Sequence, residues 1–234
     1  MLTPEPTSGV IWHACRGALT LRVTVRSQYA HVGHHYAGIN AFEQMLRVAG
    51  ALADLKQEVS ARNTRYALDS ELDPEQARAS ILMMGGLVEG GAGFNVVPSS
   101  CSFTVERRFN PEEDRDVERE RLFSLFDELR MDGIALDVEM LQDAPSAASP
   151  IADPLADALL AASMTVLGRK PRFEMCPGLL EIRWYARAGV PAYAFGPGLL
   201  SVSHGPEEYV DLDALTDYAA IYALTAVNRL RHRV

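Results

Sequence analysis

Leu19, Leu21, Val23 and Val25 alternate with Thr20, Arg22 and Thr24. That period of two predicts a strand with one buried face. Asn40 follows, with Glu43 three positions later, the signature of a capping box that opens a helix. Phe42, Met45, Leu46, Ala49 and Ala53 recur at helical spacing and are the expected apolar stripe. From Val59 to Ala79 the chain is polar and unpatterned, which predicts a long excursion. Ser80 to Met84 then reads as a short buried strand ended by Gly85-Gly86, with a glycine-rich turn at Gly90, Gly91 and Gly93 before Asn95. Cys101, Phe103 and Val105 alternate with Ser102, Thr104 and Glu106, a third strand. Leu122, Leu125, Phe126 and Leu129 mark a second amphipathic helix that stops near Asp132-Gly133. Leu136, Val138 and Met140 complete a fourth strand.

The order is β-α-β-β-α-β from about residue 17 to 141, the ferredoxin-like arrangement of a four-stranded sheet with two helices on one face. Asp143 to Pro150 is rich in Ala, Ser and Pro and reads as a linker. Asp153-Pro154 opens a further helix that Gly168 closes. A Trp184/Tyr185 segment, the apolar strand PAYAF and a helix from about Leu212 finish the chain. This tail alternates helix and strand, so its class is α/β. The predicted division is 1–16, 17–142 and 143–234.

Composition narrows the function classes. The chain has 234 residues, 48% hydrophobic and 23% charged, ordinary for a globular protein with a sizeable core. Its net charge of −9 argues against a nucleic-acid or anionic-membrane binder, which needs a basic surface. Cys15, Cys101 and Cys176 are far apart and form no C-x-x-C pair, so neither a zinc ribbon nor a disulfide framework is indicated. The first residues, MLTPEPTSGV, lack the basic start and apolar run of a secretory signal, and a cytoplasmic setting is expected.

The candidate chemistry centres on FGPGLLSVSHGPEEYV, residues 195–210. There a strand runs into a Gly/Pro turn that presents His204, and imidazole is the commonest neutral metal ligand. Three other stretches precede it: EPTSGV at Glu5, HVGHHYAGINAFEQ with Asn40 nine positions after His31, and GAGFNVVPSSCSFTVERR. In this order they resemble the dimetal family of aminoacylase, acetylornithine deacetylase, succinyl-diaminopimelate desuccinylase and glutamate carboxypeptidase. The likeness covers nearly all of this chain and corresponds to the rear portion of that family.

The resemblance implies a fold, a chemistry and roles. The βαββαβ unit would be a dimerisation lid, residues 17–142, inserted in a zinc-peptidase-like α/β catalytic domain. The family hydrolyses amide bonds of N-acyl amino acids or small peptides with water activated by two metal ions, usually zinc, with cobalt or manganese as alternatives. Glu5 and His204 would be metal ligands. His31 would reach into the partner subunit of a homodimer and help hold the oxyanion. Beside it, His34 and His35 would be solvated loop residues or an incidental metal patch. Asn95 and Arg108 would bind substrate, a guanidinium fork suiting a carboxylate. Arg107 faces the opposite way from Arg108.

The sequence also departs from the family. CPGLLEIRWY stands where Gly-Gly-Thr-Asp-Ala-Arg is usual, with Gly178, Glu181 and Arg183 in the matching places and Gly178 and Arg183 as the expected substrate contacts. Leu179 and Leu180 there suggest a less polar pocket. The His-x-Asp ligand motif, the bridging aspartate and the Glu-Glu pair of base and ligand have no counterpart. Neither Glu112-Glu113 nor Glu207-Glu208 lies in the right context to replace that pair. The expectation is therefore a C-terminal segment of a metal-dependent amide hydrolase, inactive alone, with apolar surface and a sheet edge exposed on its tail. The rivals are a non-catalytic dimerisation or binding module and one half of a split enzyme.

Overall fold

The computed structural model describes residues 1–68 and 74–231. In chain order, the first elements are β1 (Leu2–Pro6), β2 (Ile11–Cys15), β3 (Gly17–Arg26), β4 (Ala30–His31), α1 (Ala41–Ser60), α2 (Pro74–Arg78), β5 (Ile81–Gly90) and β6 (Val96–Val97). There follow β7 (Ser100–Phe109), α3 (Arg115–Met131), β8 (Leu136–Ala144), β9 (Ala147–Ala148), α4 (Pro154–Leu167), β10 (Phe173–Cys176), α5 (Ile182–Arg187), β11 (Tyr193–Gly196) and α6 (Leu212–Arg231). Two compact units result: one from Met1–Arg16, Arg65–Ala77 and Ser146–Val234, the other from Gly17–Thr64 and Arg78–Pro145.

The central unit has the predicted ferredoxin-like topology. Its antiparallel sheet runs β5-β7-β3-β8, with α1 and α3 packed on it. Leu19, Leu21, Val23 and Val25 are all fully buried, as their alternation requires. Asn40 caps α1, its side chain accepting from Phe42 N and Glu43 N and donating to Glu43 Oε1. The stripe on α1 differs from expectation. Ala41, Met45, Val48, Leu52, Leu55 and Val59 face the sheet, whereas Phe42 and Leu46 are 53% and 56% exposed. The helix is rotated so that a strict three-and-four spacing meets the core. The two largest apolar side chains of its first turns are left outside, on a face that intramolecular packing does not explain.

The strongest polar feature of this unit is buried. Arg107 on β7 is 1% exposed, and its guanidinium binds Glu118 (2.7 Å) and Glu113 (2.5 Å). Arg62, just past α1, binds the same two carboxylates at 2.6 and 3.0 Å. Glu113 also accepts from the Ser80 hydroxyl and from Asn110 N. Burial alone would raise the Glu113 carboxyl, but Ser80 and Arg107 outweigh it and hold it below the ordinary range. The Glu112-Glu113 pair is thus structural, with Glu112 accepting from the Thr64 hydroxyl.

The excursion after α1 does not stay with the central unit. Residues 65–77 cluster with the terminal segments, which the continuous 17–142 reading does not include. Its middle, 69–73, lies outside the described residues. Tyr66 and Leu68 pack against Ala14 and Met175.

The other unit is built on a sheet ordered β1-β11-β2-β10, with β9 pairing β2. Hydrophobic alternation does not reveal β1 and β2. In IWHAC every residue is buried because both faces are covered. Ile11 joins a core with α4 and α6, and Trp12 and Cys15 join one with Leu180 and Ile182. β1 carries Pro4 and Pro6, which an edge strand tolerates. α4 begins at Asp153-Pro154 and ends at Gly168 as predicted.

Arg107→Ala leaves two buried carboxylates with one cation fewer. It is expected to destabilise the chain by about 3–5 kcal/mol. A urea midpoint indistinguishable from wild type would show that the cluster is dispensable.

Candidate functional site

In the terminal unit the candidate residues stand at strand ends. Glu5 lies in β1 where its parallel register with β11 shifts, between Thr3↔Ala194 and Pro6↔Gly196. The backbones approach so closely that a Cβ on Gly196 would sit 2.6 Å from Glu5 O. Only glycine fits there. The turn after Glu5 is then tied to the loop that carries His204. Thr7 Oγ1 donates to Gly196 O (3.3 Å), Ser8 N to Gly198 O (3.1 Å) and Leu200 N to Ser8 Oγ (2.9 Å). His204 follows a short 3₁₀ turn, is exposed, and has φ 61°, a left-handed conformation uncommon outside glycine. Its N–H donates to Glu208 Oε2. Strain of this kind clusters where a side chain must be aimed.

Burial pushes the Glu5 carboxyl above the ordinary range, and nearby Glu181 pushes it further. Glu5 in turn helps raise the Cys176 thiol, which burial mainly drives to about 12. Cys15, its register partner across β2 and β10, is raised by burial to about 11. Both are inert thiols rather than nucleophiles. Gly178 N donates to Cys176 Sγ at 3.3 Å, which places Gly178 at the end of β10. Arg183 on α5 donates to Leu180 O (2.7 Å) and stacks 4.8 Å over Trp184, while its buried Nε has no hydrogen-bond partner among the described residues. Glu5, Glu181, Cys176, Gly178 and Arg183 thus share one region of this unit. Leu180 is buried in the core of this unit with Trp12, Cys15 and Ile182.

In the central unit His31 and Asn95 come together. β4 pairs β6 with His31 opposite Val96, and Val32 N donates to Asn95 O at 2.9 Å. Both side chains are exposed. Around them Val32, Tyr36 and Phe94 are exposed too, and Phe94 is fully so. Arg108 is not in this group. It pairs with Ala18 and Ile81 near the far end of β7 from Ser100, about 27 Å along the strand at the usual rise. There it forms an ion pair with Glu106. His34 meets Tyr36 at 3.3 Å.

Sequence reasoning overlooked His13. It is buried between Tyr66 and Phe173, and its Nδ1 lies 2.8 Å from Ser149 O. Burial lowers its imidazole, so it is a neutral core residue. Its place in an uninterrupted apolar run was the available signal.

Among the described residues no three His, Cys, Asp or Glu side chains converge as a metal site. Glu5 and His204 supply at most two donors, fewer than one tetrahedral ion needs.

A ferredoxin-like unit thus interrupts an α/β unit, with Glu5 in β1 and His204 in the loop after β11. The family model described as the peptidase dimerisation domain matches residues 13–132, and the chain belongs to the M20 peptidase family. It is 26% identical over 220 residues to succinyl-diaminopimelate desuccinylase of Corynebacterium glutamicum, covering 94% of this chain and 54% of that protein. The M20 family metallo-carboxypeptidase Sso-CP2 of Sulfolobus solfataricus has the same fold, with TM-score 0.73 at 14% identity over 94% of this chain and 60% of that one. Aminopeptidase PepT of Bacillus cereus gives TM-score 0.70 at 19% identity, covering 97% and 56%. The chain spans about half the length of the curated relatives it matches.

The raised Glu5 carboxyl has a consequence for stability. Its folded pKa lies above the unfolded value, so the ionised form is disfavoured in the folded state. Stability is lost as pH rises through the folded value and regained below the unfolded one, near about 4.3. Glu5→Gln is therefore expected to raise Tm at pH 7, with the gain vanishing at pH 4. A lowered Tm at pH 7 would contradict this.

Proposed function

We propose that this chain supplies the dimerisation lid and the closing part of the catalytic domain of a metal-dependent hydrolase that splits amide bonds of N-acyl amino acids or small peptides. The observation that carries the reading is the lacing of Thr7 and Ser8 to Gly196, Gly198 and Leu200, which couples Glu5 to the loop holding His204 in a left-handed conformation. In this proposal Glu5 and His204 each give one ligand to a two-metal centre, zinc being the expected ion. The remaining ligands and the general base come from outside these residues. Gly178, Arg183 and Arg108 meet the substrate of this subunit's site, and Asn95, which lies with His31 and far from Arg108, joins His31 in serving the site of the partner subunit. The apolar surroundings of His31 and Asn95, without a cation from Tyr29 to Asn40 or from Gly90 to Pro98 apart from the imidazoles, favour a substrate that is uncharged where it meets these two residues, any carboxylate being left to Arg108. The three cysteines are buried and free, in keeping with the reducing cytoplasm proposed for it. No described helix is long and apolar enough to cross a membrane.

The chain alone is expected to show no turnover of N-acetyl or N-succinyl amino acids or dipeptides with added zinc or cobalt. Co-expression with a segment bearing the His-x-Asp and Glu-Glu motifs is expected to give turnover that His204→Ala abolishes. Turnover by the chain alone, sensitive to His204, would overturn the proposal. Failure of every such segment would favour a non-catalytic module.

We also propose a homodimer through the outer edge of the lid. β5 is an edge strand, and Met83, Leu87 and Val88 on it are 48%, 58% and 66% exposed, like Phe42 and Leu46 on α1. An unpaired apolar strand edge is a template for a second strand. Sedimentation velocity is expected to show a dimer, and Leu46→Glu with Val88→Lys a monomer of unchanged circular dichroism. A wild-type monomer would refute this.

A further inference from the structure

A histidine that stabilises an oxyanion must present an N–H to it. Neutral imidazole has one N–H, and its location follows from what the other ring nitrogen does. Nδ1 of His31 lies 3.1 Å from Gly33 N. A backbone amide only donates, so Nδ1 accepts, and the ring proton belongs on Nε2. The backbone of His31 is held separately, extended at φ −69° and ψ 142° and paired with Val96. Main chain and ring are therefore fixed by different contacts.

Residue 33 also controls the space beside the ring. A Cβ there would lie 3.2 Å from Nδ1 and 3.6 Å from Cε1. Contact at 3.2 Å is tight enough that a neighbour must give by a few tenths of an ångström, and on an exposed loop the ring moves more readily than the backbone. Its neighbours have no such arrangement. His34 Nδ1 faces the Tyr36 hydroxyl at 3.3 Å, a partner that can donate or accept, so neither tautomer is selected.

We propose that Gly33 is a positioning residue: its amide and its missing side chain together hold His31 as the Nε2–H tautomer, a donor ready for an oxyanion. The catalytic meaning rests on the role proposed above for His31; the tautomer itself does not. A donor fixed before substrate arrives needs no reorientation during reaction, which is what makes such groups effective.

The test is ring-nitrogen NMR of the full chain labelled with 15N, at about pH 8 where imidazole is neutral. His31→Gln identifies the His31 signals by their loss. The wild type is expected to show a pyridine-type Nδ1 and a pyrrole-type Nε2. Gly33→Ala is expected to shift both resonances toward the averaged values of a free imidazole, with the sheet amides unmoved. Gly33→Pro, which lacks the donor, should do the same. A protonated Nδ1 in the wild type, or ring shifts unchanged in both variants, would overturn the proposal. In the complemented enzyme, Gly33→Ala should lower kcat about tenfold with little change in KM. Full turnover by His31→Gln would overturn the catalytic reading of His31 and leave the ring assignment standing.

Discussion

The central unit depends on one buried guanidinium. Arg107 is the largest fully buried side chain among the described residues, and it is charged. A lone cation in that position would be prohibitive, so the structure must deliver two carboxylates to it. Glu118 comes from the first turn of α3 and Glu113 from just before it, Arg62 from just past α1 and Ser80 from just before β5. Two helices and two strands are thus registered at a single point, with an accuracy that oily contacts do not impose. The cluster also lies close to both places where residues 65–77 leave and re-enter the unit, since Arg62 and Ser80 flank them.

Much of this fold was legible because its signals are local. Alternation in Leu19–Val25, the Asn40/Glu43 cap and the Asp153-Pro154 start depend on neighbours in sequence, and each appears where it should. What escaped reading depends on distant partners. IWHAC carries no alternation because helices cover both of its faces, and the α1 stripe was misplaced because Phe42 and Leu46 are apolar for a reason other than the core. Arg107 and Arg108 look alike in sequence. Burial and paired carboxylates make one a structural centre, while the other stands half-exposed beside Glu106.

The candidate site divides along the same line. Motif order indicated Glu5, His204, His31 and Asn95, and the structure gives each a defined backbone setting: a shifted register, a left-handed turn and a two-stranded pairing. It does not give them enough companions within these residues to bind an ion. Glu5 is a carboxylate that burial disfavours, with another carboxylate, Glu181, as its electrostatic neighbour. Such a group is unfavourable alone and well suited to a cation.

The path of the chain through its two units sets an order of assembly. β1 and β2 precede the central unit in the chain, whereas their partners β10 and β11 follow it. Between them the central unit has all of its strands and helices in sequence and can close on itself. During synthesis β1 and β2 are therefore without these sheet partners, one of them buried along its whole length in the finished fold, while the central unit can already close. Translation speed and chaperone protection of IWHAC become part of what decides the yield of native protein.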